Sequence, residues 1–256
     1  IYCDAAFRLY IYACLFSHCN TGQCGYKLHL NGGGIYATKC GQIQVVNTKF
    51  HKNKAKRLGG GLYCTRTQSV TYINNTFSYS IAHTGGAIYM TFCTLVKNLR
   101  NLFLANRANK HGAGIHARNI DKFYINKCML TKNVAQEYSG GINLEKIFPK
   151  NLQMILTVYI INTVFAENNG KFGGGLVSWD IKNTTIAACK FISNTATSRG
   201  GGVFFQTFES TNIFIITISF TNNHAESEGG GLYIENVGYQ EKSLIVLASN
   251  VFLDNV

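Results

Sequence analysis

Three small residues followed by an aliphatic one recur eight times along the chain. The copies are Gly32-Gly33-Gly34-Ile35, Gly59-Gly60-Gly61-Leu62, Gly85-Gly86-Ala87-Ile88, Gly112-Ala113-Gly114-Ile115, Ser139-Gly140-Gly141-Ile142, Gly173-Gly174-Gly175-Leu176, Gly200-Gly201-Gly202-Val203 and Gly229-Gly230-Gly231-Leu232. Their third positions step by 27, 26, 27, 27, 34, 27 and 29 residues. A near-constant step of this size requires a stack of equivalent units, each burying its apolar face against the next. A second marker precedes the triplets: Phe50-x-x-Asn53, Phe77-x-x-Ser80, Phe103-x-x-Asn106, Leu130-x-x-Asn133, Phe165-x-x-Asn168, Phe191-x-x-Asn194 and Phe220-x-x-Asn223. Phe16-x-x-Cys19 opens the series, well ahead of its glycines, and Phe252-x-x-Asn255 stands last.

The segments between markers, such as "IQVVNTKF" and "SVTYINNTF", are rich in β-branched and aromatic residues and have no helical period. Helical repeats would need two amphipathic segments per unit, and leucine-rich repeats a dense Leu ladder; neither is present. The single Pro among 26 Gly fits strands that keep every N–H for pairing. The pattern predicts an all-β, parallel β-solenoid of about eight to nine coils of ~27 residues each, a rod roughly 40 Å long. Residues 1–31 read as an irregular first coil with a Cys-rich insertion, and 32–256 as solenoid repeats with a longer coil at 142–172. In this frame the glycines sit where the chain turns and neighbouring coils crowd, and the Phe residues stack inside the rod. Asn53, Asn106, Asn133, Asn168, Asn194, Asn223 and Asn255 form a structural amide ladder, broken by Ser80.

Repetition of GGA-[ILV] with F-x-x-N resembles the repeats of the chlamydial polymorphic outer membrane proteins, over roughly residues 16–255, although most triplets here are GGG. The resemblance implies a right-handed parallel β-helix at the cell surface or outside the cell, acting in adhesion or as a structural fibre. It is specific for fold and says little of function.

Chemistry-bearing residues are sparse. Many parallel β-helices are polysaccharide lyases or hydrolases, which makes a sugar-active enzyme the alternative function. Glycosidases need paired carboxylates at set separations, and the four Asp (Asp4, Asp121, Asp180, Asp254) fall in unrelated coil positions. Glu226 and Glu228 lie in the turn before a triplet and read as solvated. His111 and His116 flank one triplet, with His83 a coil earlier, but no metal-ligand spacing accompanies them. No catalytic residue, metal or cofactor is therefore expected.

Net charge is +12, and it is uneven: residues 1–128 carry 16 Lys+Arg against two acids, while 129–256 carry 8 against 10. Lys52, Lys54, Lys56 and Arg57, with Arg107 and Lys110 two coils on, make a candidate polyanion-binding stripe. Acidic glycans are the preferred partner, because no nucleic-acid fold signature accompanies the stripe.

Nine Cys are present. Cys14, Cys128 and Cys189 share one column and read as small buried hydrophobes, while Cys40 and Cys93 share another, two rungs apart and too far to bond. Cys19 and Cys24 form a candidate disulfide closing the first-coil insertion, and Asn74 and Asn183 are candidate N-glycosylation acceptors. No run of about 18 apolar residues exists, so no helix here spans a membrane. The repeats lack polar caps at either end, and the chain opens on Ile1, which together read as a segment of a longer protein or as ends that stack on other copies into a filament. The insertion around Pro149 is the loop expected to carry a specific contact.

Overall fold

The computed structural model describes residues 1–21, 30–146, 157–208, 210–236 and 243–256. It is a right-handed parallel β-helix of nine coils. Every coil adds one strand to each of three nine-stranded sheets, and the middle coils add a short strand to a fourth, six-stranded sheet. One coil runs through Ile88–Thr91, Leu95–Leu99, Leu102–Leu104 and Arg107–Ala108, which lie in the first, second, third and fourth sheets. All pairing is parallel, and it runs in register from coil to coil, as in Ile88↔Ile115, Val96↔Phe123 and Phe103↔Leu130, save for a shift between Gly170 and Phe172 where Asn169–Phe172 meets Thr195–Arg199. No helix occurs among the described residues. The first coil, Tyr2–Asp4, Arg8–Tyr12 and Leu15–Ser17, pairs in register with the second. Residues 22–29 and 147–156, which hold Cys24 and Pro149, lie outside the described residues.

Alternation places the core. Ser69–Ile73 buries Val70 and Tyr72 and turns its other side chains outward, and the inner strands of the second sheet follow the same period. The marker phenylalanines stack along the axis: Phe16, Phe50, Phe77 and Phe103 at 4.9, 4.5 and 5.1 Å, then Phe165, Phe191, Phe220 and Phe252 at 4.6, 5.1 and 4.7 Å. Leu130 separates the two runs. Such stacks add to area burial because each ring sits offset on the next.

The corners use two devices. At the glycine corner Gly59 has φ +65°, and a Cβ on Gly60 would lie 2.2 Å from the carbonyl oxygen of Gly86 in the next coil. At the other three corners single non-glycine residues take the left-handed conformation, for example Asn119, Arg100 and Ala105 with φ of 53°, 55° and 51°. These residues occupy the same place coil after coil, as in Lys52, Tyr79, Ala105, Lys132, Glu167 and Ser193. Their N–H groups continue the inter-coil ladder: Tyr79 N–H reaches Leu104 O at 3.0 Å, and Ala105 N–H reaches Thr131 O at 3.0 Å. The strain of about 1–2 kcal/mol per residue is thus offset by an unbroken backbone ladder.

Beside the third sheet the amide column runs without interruption from Asn106 through Asn133, Asn168, Asn194 and Asn223 to Asn255. Each Nδ2–H donates to the next Oδ1 at 2.9–3.0 Å. That same Oδ1 also accepts the backbone N–H of the preceding Asn, and the second Nδ2–H goes to the marker carbonyl one coil back, as Asn133 to Phe103 O at 3.0 Å. Asn53 caps Cys19 N–H and Phe16 O, and Ser80 N–H is met by Asn106.

A second polar column follows the second sheet: Thr48, Asn75, Asn101, Cys128, Thr163 and Cys189. Here the Cys128 and Cys189 sulfurs accept the N–H groups of Asn101 and Thr163, at 3.3 and 3.4 Å. These two cysteines are therefore members of a hydrogen-bonded ladder as well as buried fillers, and Cys14, in the same column, is exposed.

Two buried asparagines should respond oppositely to the same change. Asn133 is fully satisfied, so Asn133→Leu orphans the Asn106 N–H and the Phe103 carbonyl and should cost about 3 kcal/mol or more. Asn98 is equally buried in the core, and its amide has no hydrogen-bond partner among the described residues, so Asn98→Leu should stabilise by about 1–2 kcal/mol. Urea unfolding of the two variants checks both signs. Separately, Ala105→Gly relieves a left-handed alanine and should raise stability by about 1 kcal/mol, measurable as a higher Tm.

Candidate binding face

The outward positions of the second sheet form a groove of about 580 Å3 lined by Leu95, Lys97, Leu99, Lys122, Tyr124, Asn126, Tyr159 and Ile161. Register stacks Lys97, Tyr124 and Tyr159 in a single column over three coils. The two tyrosine rings lie 4.9 Å apart and 9° from parallel, stacked on each other at partly exposed outward positions of the sheet. Lys97 and Lys122 are exposed beside them, and Leu95, Leu99 and Ile161 form the apolar walls. A neighbouring hollow of about 320 Å3 shares Leu99 and Asn126 and adds Arg100 and Lys127. Four cations thus line one face, and no carboxylate lines either hollow.

The stripe expected in the turns is less continuous. Lys54 and Arg107 share a column of the fourth sheet but are separated by Ile81. Lys52 belongs to the corner column after the third sheet, and Lys56 and Arg57 are exposed in the turn before Gly59. Lys110 lies 3.9 Å from Glu137, which partly neutralises it. Asn74 is exposed at a left-handed corner, whereas the Asn183 side chain accepts a hydrogen bond from Asn212 Nδ2 at 2.9 Å. Cys19 is a free thiol, and its expected partner Cys24 lies outside the described residues.

The first sheet carries a different outward column: Tyr36, Tyr63, Tyr89 and His116, stacked at 4.9, 5.6 and 4.9 Å. His116 is buried, with Nε2 at 3.0 Å from Glu145 Oε1 and Nδ1 at 3.1 Å from Asn143 Nδ2. The tautomer with Nε2–H donating to Glu145 and Nδ1 accepting from Asn143 satisfies both contacts. Burial pushes the Glu145 carboxyl up, but the hydrogen bond from His116 and the positive surroundings that include Arg118 outweigh it and hold Glu145 below its ordinary value. His111 and His116 rings lie 5.9 Å apart, and His83 is exposed a coil away. Among the described residues no three His, Cys, Asp or Glu converge as metal ligands. Beside this network, Tyr138, Glu145, Lys146, Trp179, Asp180 and Phe208 enclose a hollow of about 220 Å3. Glu226 and Glu228 are exposed, and Glu228 pairs with Arg199 at 2.9 Å.

Residues 217–235 match the Chlamydia polymorphic membrane protein repeat. The match spans Phe220-x-x-Asn223 and Gly229-Gly230-Gly231-Leu232, so the matched residues include one member each of the amide ladder and the aromatic stack, and one glycine corner. It is a motif of a surface and outer-membrane protein family. No curated protein and no solved structure matches the chain.

Stability should depend on pH through His111. Burial, with a contribution from His116, lowers its pKa from 6.5 to about 4. The unfolded chain then takes up this proton at a higher pH than the folded one, so stability is full above about 6.5 and is lost as pH falls toward about 4. Thermal melts across that range should show a falling Tm, with a loss on the order of 2 kcal/mol. His111→Gln should flatten the slope.

Proposed function

We propose that this chain is a non-catalytic, rigid segment of an extracellular or cell-surface protein, structural in its rod and adhesive along one face. Its ligand is an acidic glycan held on the second sheet. The observation that carries this is the groove in which the column Lys97, Tyr124 and Tyr159 runs beside Lys122, with no carboxylate among the residues that line it. Phenolic hydroxyls one rung apart with ammonium groups beside them suit a polymer that carries hydroxyl and carboxylate or sulfate groups along its length. Stacked rings that have already spent their inner faces on each other offer edges and hydroxyls, which favours sugars over the flat faces of bases. The surface-family repeat supports display outside the cell.

Assembly is part of the same proposal. Tyr2, Leu15, Leu247 and Phe252 expose apolar side chains on the outermost rungs, and further rungs, whether of the same chain or of another copy, would bury them.

A polysaccharide-active enzyme is the second reading, favoured by one place: the hollow where Trp179, Tyr138 and Phe208 meet Glu145 and Asp180. Against it, Glu145 is held ionised, and glycoside hydrolysis needs one carboxyl that keeps its proton.

The test is binding to an immobilised polyuronate and to a sulfated glycosaminoglycan. Lys97→Glu with Lys122→Glu should weaken binding at least about tenfold without lowering Tm, whereas Lys190→Glu, on the third sheet, should change little. Equal binding by the wild type and the double variant would overturn the assignment of the groove. Chain-shortened products in the same incubation would favour the enzyme.

A further inference from the structure

Two pairs of cysteines meet across successive coils. Cys3 Sγ and Cys40 Sγ are 3.9 Å apart, and Cys64 Sγ and Cys93 Sγ are 3.8 Å apart. Both pairs have the same construction. The earlier cysteine is the third residue or its equivalent in a first-sheet strand, and the later one lies just past the corresponding strand of the next coil. Register aligns Cys3, Ala37, Cys64 and Met90 in one column, and the inter-coil hydrogen bonds align Ala6, Cys40, Thr67, Cys93 and Ile120 in another. The diagonal partners are therefore Cys3 with Cys40, Ala37 with Thr67, Cys64 with Cys93, and Met90 with Ile120. Wherever one column holds a cysteine, its diagonal partner is a cysteine, and where one does not, neither does the other. Cysteines used only to fill space would not be matched in this way.

We propose that each pair closes to a disulfide under oxidising conditions, stapling the first coil to the second and the third to the fourth. The sulfurs already lie near van der Waals contact, and closure takes them from there to a bonding distance of about 2.05 Å. In each closure two thiols lose two protons and two electrons as the S–S bond forms. The electrons pass by thiol–disulfide exchange to an external disulfide, such as oxidised glutathione, which is cleaved to two thiols. Cys64 and Cys93 are buried, so their bond must form as the fourth coil docks on the third, before solvent is excluded. Cys3 is half-buried and stays within reach of reagents. Cys14, Cys128 and Cys189 have no described cysteine in contact and remain thiols.

The inference stands on geometry and does not require the glycan reading. The test is to refold the full 256-residue chain in a glutathione redox buffer, block free thiols with N-ethylmaleimide in denaturant, digest without reduction and identify linked peptides by mass spectrometry. Cys3 linked to Cys40, and Cys64 to Cys93, with Cys128 and Cys189 blocked, is the expected result. In the folded, oxidised protein, dithiothreitol should open Cys3–Cys40 first and reach Cys64–Cys93 only with denaturant. Complete blocking of all four cysteines in folded protein, or their linkage to Cys14 or Cys19 instead, would overturn the proposal. Should the wild type refold poorly, Cys93→Ser gives a second reading: it should leave Cys64 blocked and Cys3–Cys40 intact, and any new partner for Cys64 would count against the pairing.

Discussion

The asparagine column is the constraint on which the rest depends. An amide offers two donors and an acceptor with two lone pairs, enough to bind its counterparts in both neighbouring coils and the backbone of each. From Asn106 to Asn223 those sites are met by the neighbouring coils. A coil shifted by one residue would leave this buried amide unpaired and turn its apolar side chains outward, so the column fixes register as firmly as the hydrophobic pattern does. The phenylalanine stacks, the left-handed corners and the outward columns all follow from that register.

Fixed register turns scattered surface residues into lines. Tyr124 and Tyr159 are 35 positions apart in the chain, yet their rings touch. No single coil holds the groove or the His116–Glu145 network; each is assembled from two or three coils by repetition along the axis. This is how a solenoid presents an extended ligand with an extended surface.

Much of the architecture was legible in the spacing of markers, because glycine at the crowded corner, phenylalanine in the stack and asparagine in the ladder are nearly obligatory there. What stayed hidden lacks a shared chemistry. The left-handed corners accept Lys, Tyr, Ala, Glu and Ser alike, since only backbone is used. The second polar column alternates Thr, Asn and Cys, three different ways of offering an acceptor to the same N–H, and so shows no motif. The groove leaves no periodic signal, because the longer coil offsets Tyr159 from Tyr124 by more than the usual period. The cysteine pairs leave none because residues compared at equal offsets reveal columns, whereas these contacts run diagonally between columns. The charge stripe is less continuous in space than in sequence, because Ile81 lies between Lys54 and Arg107 and Lys110 lies against Glu137.

The ladder has a consequence for how such a chain can change in length. Each asparagine binds whatever asparagine the next coil supplies, and each corner ladder resumes on the next equivalent residue. Loss or gain of one whole period would therefore reseal every column with its own kind, whereas an insertion of a few residues is tolerated only at a corner, as a loop. Recombination between the repeated stretches of its coding sequence would yield shorter or longer rods that still fold. Length of the rod, more than the chemistry of any one coil, is the property such a chain can vary most freely.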